Sequence, residues 1–150
     1  MRIYHPYGSK ERLFEINEKV NKVILNEEIL SKDKKEKVIE DFLKFIISKL
    51  DLSDDKPKLT LSYDNDEASS MASFGKYTPD LNEIRVIVAN RNLADVLRTI
   101  AHEIIHYKQN KEGKLTSDSN ETGSEQENEA NALAGIYMRE FGQKNPIIFE

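Results

Sequence analysis

The stretch Thr99-Ile100-Ala101-His102-Glu103-Ile104-Ile105-His106-Tyr107-Lys108-Gln109 carries H-E-x-x-H inside a segment that reads as helix. Residues four apart on a helix stand one turn above each other on the same face, so His102 and His106 can turn two imidazoles toward one ion. Glu103 lies within reach of a water on that ion. Zinc lowers the pKa of bound water and a neighbouring carboxylate accepts the proton, so the pattern is that of metal-assisted hydrolysis. The plain alternative is a solvated helix that happens to carry His and Glu. Leu93, Val96, Leu97, Ile100 and Ile104 argue against it, because they recur at helical spacing and bury one side of the segment. Asn92 is suited to cap the start, with Asp95 three residues on.

The totals narrow the setting. A chain of 150 residues fits one domain with a real hydrophobic core. Charged residues make up 33% and the net charge is −5, which gives no case for nucleic acid as a partner. There is no cysteine, so thiolate ligands and disulfides are excluded. The N-terminus has no apolar signal-peptide core and no run reaches transmembrane length, so a cytoplasmic protein off the membrane is expected.

Moving outward, Leu13, Ile16, Val20, Val23 and Ile24 predict a helix over about 9–30, capped by Ser9. Ile39, Phe42, Leu43, Ile46, Ile47 and Leu50 predict a second over 34–50, with Asp33 and Glu36 resembling a capping box. Residues 58–63 alternate apolar and polar, as a half-buried strand does. Residues 74–77 and 83–88 form a predicted hairpin around the turn residues Thr78, Pro79, Asp80 and Asn82. The second arm runs straight into the His-Glu helix, so a strand edge is expected near the metal, where an extended peptide could add by backbone hydrogen bonds. Residues 110–124 are polar and read as a long loop or lid. Residues 125–141 read as a helix ended by Gly142, and the tail either adds a strand or packs on the core. Residues 1–57 are thus an N-terminal helical part and 58–141 a catalytic core within one domain, 1–150.

A catalytic zinc needs three protein ligands and an open position. The one remaining histidine, His5, is at the far end of the chain, so a carboxylate is favoured. The metzincin pattern is excluded, because Gln109 and Glu112 stand where it needs glycine and histidine. The acidic start of the last helix offers Glu125, Glu127 and Glu129. Glu127 is favoured because its face continues through the small Ala130, Asn131 and Ala134, which allow close approach to the His-Glu helix. Glu125 and Glu129 stay open as alternatives.

With Glu127-Asn128-Glu129-Ala130-Asn131-Ala132-Leu133-Ala134 downstream of His102-Glu103-x-x-His106, the chain resembles the gluzincins. It is similar to the E-x-E-A-N-x-[FL]-A helix of ImmA/IrrE-type metallopeptidases and to the E-x-x-A-D helix of HtpX-like ones. The Tyr107-x-Gln109 ending resembles that of other small zincins, some in phage genomes. The resemblance implies Zn2+ held by His102, His106 and Glu127, with Glu103 as general base and acid and Asn131 orienting a ligand imidazole. It also implies an α+β minimal zincin fold: a small antiparallel or mixed sheet whose edge strand borders an active-site helix, and a ligand helix. The two N-terminal helices stand outside that core.

The resulting expectation is a zinc metallopeptidase acting on a protein or peptide, with Tyr77, Tyr107 and Tyr137 as candidate oxyanion donors. A zincin-fold binding module that holds zinc without turnover and a helical interaction protein with an accidental motif are the other classes. Replacing Glu103 separates the first two.

Overall fold

The structure, a computed structural model, describes residues 3–4, 11–15, 30–52, 56–66, 73–116 and 123–149. Along them run β1 (Ile3–Tyr4), β2 (Glu11–Glu15), α1 (Leu30–Lys49), β3 (Lys58–Ser62), β4 (Gly75–Thr78), β5 (Glu83–Ile87), α2 (Leu93–Lys111) and α3 (Glu125–Lys144). Short 3-10 turns occupy Pro79–Leu81 and Pro146–Phe149. The fold is α+β, with a small mixed sheet and the helix pair of a minimal zincin.

The sheet order is β1-β2-β3-β5-β4. β3 and β5 run parallel, with Leu59 opposite Ile84 and Leu61 opposite Val86. The hairpin returns β4 antiparallel on the far side of β5, with Tyr77 opposite Ile84. Asn82 closes its turn in the left-handed region at φ 50°, a conformation asparagine adopts more readily than most residues. The edge strand near the helix is therefore β4, the first arm of the hairpin, and not the second arm that the sequence put there. Once β3 has taken β5 as its neighbour, β5 is interior and its Ile84, Val86 and Ile87 are fully buried. The same pairing explains why β3, read as half-buried, has Leu59, Thr60, Leu61 and Ser62 all out of solvent.

Two expectations at the N-terminal side are corrected. Residues 11–15 are a strand paired antiparallel to β3, with Leu13 opposite Thr60, where the sequence suggested the start of a helix. Cross-strand pairing to a sheet neighbour outweighs the helical spacing of Leu13 and Ile16, since local periodicity is a weak prior against tertiary contacts. The rest of that expected helix, 16–29, lies outside the described residues. The second helix begins at Leu30, so position 33 falls inside it and not at its N-cap. Glu36 is buried and accepts a hydrogen bond from the Tyr63 hydroxyl at 2.7 Å, a long-range use that replaces the capping box.

The core lies between the sheet and the helices. The α1 stripe of Ile39, Phe42, Leu43 and Ile46 packs with Val96, Leu97, Ile100 and Ile104 of α2 and with Ala130, Ala134 and Met138 of α3. Phe42 meets Phe141 edge-on at 5.1 Å. The small Ala130 and Ala134 let α3 lie close along α2, which brings the acidic start of α3 beside the histidines. Gly142 does not end α3, which continues to Lys144. A Cβ there would meet the far edge of the Phe149 ring, an exposed side chain of the last turn. The tail packs on the core through buried Ile148 and forms no strand. Among the described residues no helix is long and apolar enough to cross a membrane.

Candidate active site

Two caps place the elements that carry the site. Asn92 Oδ1 accepts from the Asp95 N–H at 2.9 Å and starts α2, so that His102, Glu103 and His106 fall on its third and fourth turns. Ser124 Oγ accepts from the Glu127 N–H at 3.0 Å and starts α3, which fixes Glu127 in the first turn.

The three side chains converge. His102 Nε2 lies 3.0 Å from Glu127 Oε1, and His106 Nε2 lies 3.1 Å from Glu127 Oε2. The two Nε2 atoms are 3.1 Å apart. Metal–ligand bonds of about 2.0–2.2 Å at tetrahedral angles place donor atoms roughly 3.3 Å from one another, so this triangle fits a shared small cation. Its chemistry fits as well, because three lone-pair atoms crowded together call for a positive charge between them. Among the described residues His102, His106 and Glu127 are the group able to hold a metal ion. Glu125 is exposed, while Glu129 accepts from Gln109 Nε2 at 2.9 Å and faces away from the triangle.

Glu103 lies beside them, 8% exposed, and the main-chain N–H of Tyr77 donates to its carboxylate. Burial pushes its pKa up to about 7; the negative charge of Glu127 adds to this, while His106 and the Tyr77 N–H oppose it. Burial also lowers the pKa of His102, against the pull of Glu127. The Asn131 side chain is hydrogen-bonded to the His102 ring, where the resemblance put a partner for a ligand imidazole.

A cleft of 560 Å³ opens over these groups, bordered by Gly75 and Tyr77 of the edge strand, by Asn110 in the last turn of α2, and by Leu115 and Thr116 after that helix. The expected lid falls partly on 117–122, outside the described residues. Of the three tyrosines, Tyr77 lines the cleft and its hydroxyl accepts from Asn110 Nδ2 at 3.0 Å. Tyr107 is fully buried, and Tyr137 packs edge-on to Phe45 away from the site.

Three residues of the site escaped the sequence reading. Gly75 sits so close to α2 that a Cβ would collide with the Thr99 methyl and come within 3.2 Å of Glu103 Cγ. Asn110 holds Tyr77. Gln109 is 1% exposed and lies against the second histidine, its Oε1 2.8 Å from His106 Nδ1. A polar residue three positions after His106, on the apolar side of the helix, was the available signal for Gln109. The roles of Gly75 and Asn110 depend on β4, which is distant in sequence.

A catalytic-type H-E-x-x-H site with a glutamate from the next helix, set beside the edge of a small sheet, defines a zincin of the peptidase class. Residues 36–138 match the IrrE N-terminal-like domain, and the chain belongs to that peptidase family. No curated protein matches the chain, and neither does any solved structure.

Proposed function

We propose that this chain is a zinc-dependent metallopeptidase that hydrolyses peptide bonds in a protein or peptide substrate. The observation that carries this reading is the convergence of His102 Nε2, His106 Nε2 and the Glu127 carboxylate at 3.0–3.1 Å, with the Glu103 carboxylate alongside in the same cleft. His102, His106 and Glu127 would hold the zinc. When bound, zinc supplies a Lewis acid for the scissile carbonyl and lowers the pKa of a water to about 7.

Glu103 would accept a proton from the attacking water and return it to the amine nitrogen as the scissile C–N bond breaks, and the Tyr77 N–H keeps its carboxylate in place. Substrate alignment falls to β4. The Ile87 N–H donates to the Phe74 carbonyl, so with Gly75 opposite Val86 the main-chain groups of 74, 76 and 78 face β5. The Gly75 N–H and the Tyr77 carbonyl face the other way, toward the cleft, where an extended peptide can pair with the edge, while the Tyr77 N–H on that side is taken by Glu103 and the Gly75 carbonyl accepts from Ser73 Oγ at 2.9 Å.

The experiment is zinc content after dialysis against metal-free buffer, followed by cleavage of a peptide library by the wild type and by Glu103→Gln. About one zinc per chain and cleavage reduced roughly 100-fold or more in the variant support the proposal. Zinc bound equally by both proteins, with no cleavage by either, would turn the reading to a binding module. Absence of zinc uptake would overturn it altogether.

A further inference from the structure

Gln109 lies between the two ligand helices, and its amide can sit in only one orientation. Its Nε2 is 3.0 Å from the main-chain carbonyl of Gln126 and 2.9 Å from Glu129 Oε1. A main-chain carbonyl only accepts, so the group facing it is the NH2. Gln109 Oε1 therefore points at His106 Nδ1, 2.8 Å away, and an oxygen at that distance requires the ring nitrogen to carry the proton. Once Nδ1 is protonated in a neutral imidazole, the lone pair is on Nε2, directed at Glu127 and His102.

We propose that Gln109 is a positioning residue that fixes His106 in its Nδ1–H form and holds the ring plane toward the metal. The inference rests on the reading of the site as a zinc site. The anchor for this is α3 itself, because Gln126 and Glu129 flank Glu127 on one turn of that helix. The residue that orients one ligand is thus clamped by the helix that supplies another, and closure of α3 on α2 assembles both together. Outer partners of this kind set tautomer, ring orientation and ligand basicity. Asn131 of α3 is likewise hydrogen-bonded to the other histidine, His102.

The opposing influence makes the proposal testable. Without a metal, the Glu127 carboxylate 3.1 Å from His106 Nε2 would draw the ring proton to Nε2. A His106 that keeps its proton on Nδ1 does so because of Gln109. The test is long-range proton–nitrogen NMR of the histidine rings in the metal-free protein, at a pH where both rings are neutral, for the wild type and Gln109→Met. Zinc affinity of both proteins is measured by competition with a chelator. The expected result is an Nδ1–H tautomer for His106 in the wild type, its loss in the variant, and a zinc affinity about 10- to 100-fold lower in a variant that still melts cooperatively. An Nε2–H tautomer in the wild type, or equal zinc affinities, would overturn the proposal. Because Gln109 is buried, the wild-type spectrum alone decides if the variant fails to fold. Failure of the wild type to bind zinc would count against the peptidase reading, and the tautomer would still be read independently.

Discussion

The main-chain N–H of Tyr77, on the edge strand, donates to the carboxylate of Glu103, on the active-site helix. Strand and helix can come this close because residue 75 has no side chain. A methyl at Gly75 would collide with the Thr99 methyl and press on Glu103 Cγ at 3.2 Å. Gly75→Ala should push β4 off α2 and release Glu103. Alanine is otherwise favoured over glycine in a strand, so a loss of about 1–3 kcal/mol would be the signature of overpacking. Cleavage should fall at least 10-fold while zinc affinity stays near the wild-type value, because the three metal-holding side chains lie on α2 and α3. Thermal melts, a zinc competition assay and peptide cleavage would check this; unchanged stability together with unchanged cleavage would sink it.

Glu103 makes a further prediction, about pH. In the metal-free protein its pKa stands at about 7 against an ordinary 4.5. Between those values the folded protein keeps a proton that the unfolded chain has released, so stability falls as pH rises through the window. The sign is the reverse of the usual paired carboxylate. A shift of this size corresponds to a loss on the order of 2–3 kcal/mol by pH 8. Glu103→Gln removes the buried charge, so metal-free E103Q should match the wild type near pH 4.5 and be the more stable of the two at pH 8. Urea unfolding of both proteins across that range measures the difference, and parallel pH profiles would refute the argument.

What could be read from the sequence follows the range of the interactions. The histidines and Glu103 lie within one helical turn and a half, so their common face was legible from spacing alone. The start of α3 was legible through its acidic turn, and Ala130 and Ala134 through their size. Strand order was not, because the choice of β5 rather than β4 as the partner of β3 is a pairing between segments more than twenty residues apart. The strand at 11–15 was hidden for the same reason: Leu13 and Phe14 sit side by side and match neither period cleanly. Gly75 and Gln109 owe their positions to packing, between β4 and α2 and between α2 and α3, which no local pattern records.

The three glutamates at the head of α3 should separate on substitution. Glu127→Ala removes a side chain that touches both histidines and should weaken zinc binding beyond the roughly 100-fold that loss of an outer partner costs. Glu125→Ala alters an exposed residue and should leave affinity unchanged. Glu129→Ala takes one of two acceptors from Gln109, so a loss of roughly 10-fold or less is expected. Competition titrations on the three variants give the order directly. An Ala variant at 127 that still held zinc as the wild type does would remove Glu127 from the site.

Tyr77 offers the last separation, between ring and hydroxyl. Its hydroxyl accepts from Asn110 Nδ2 at 3.0 Å, which leaves its own proton to donate into the cleft it lines. Burial raises its pKa, so that proton is retained at neutral pH. A donor in this position can stabilise the oxyanion that develops as the scissile carbonyl is attacked, an effect that appears in kcat and spares KM. Tyr77→Phe keeps the ring against Tyr107, which it meets edge-on at 5.9 Å, and removes only the hydroxyl. The expected result is a kcat about 10- to 100-fold lower with KM and zinc affinity little changed. Tyr137→Phe, away from the cleft, serves as the control and should cleave as the wild type does. If Y77F matches that control, the oxyanion is stabilised without Tyr77, and the hydroxyl serves only to hold Asn110.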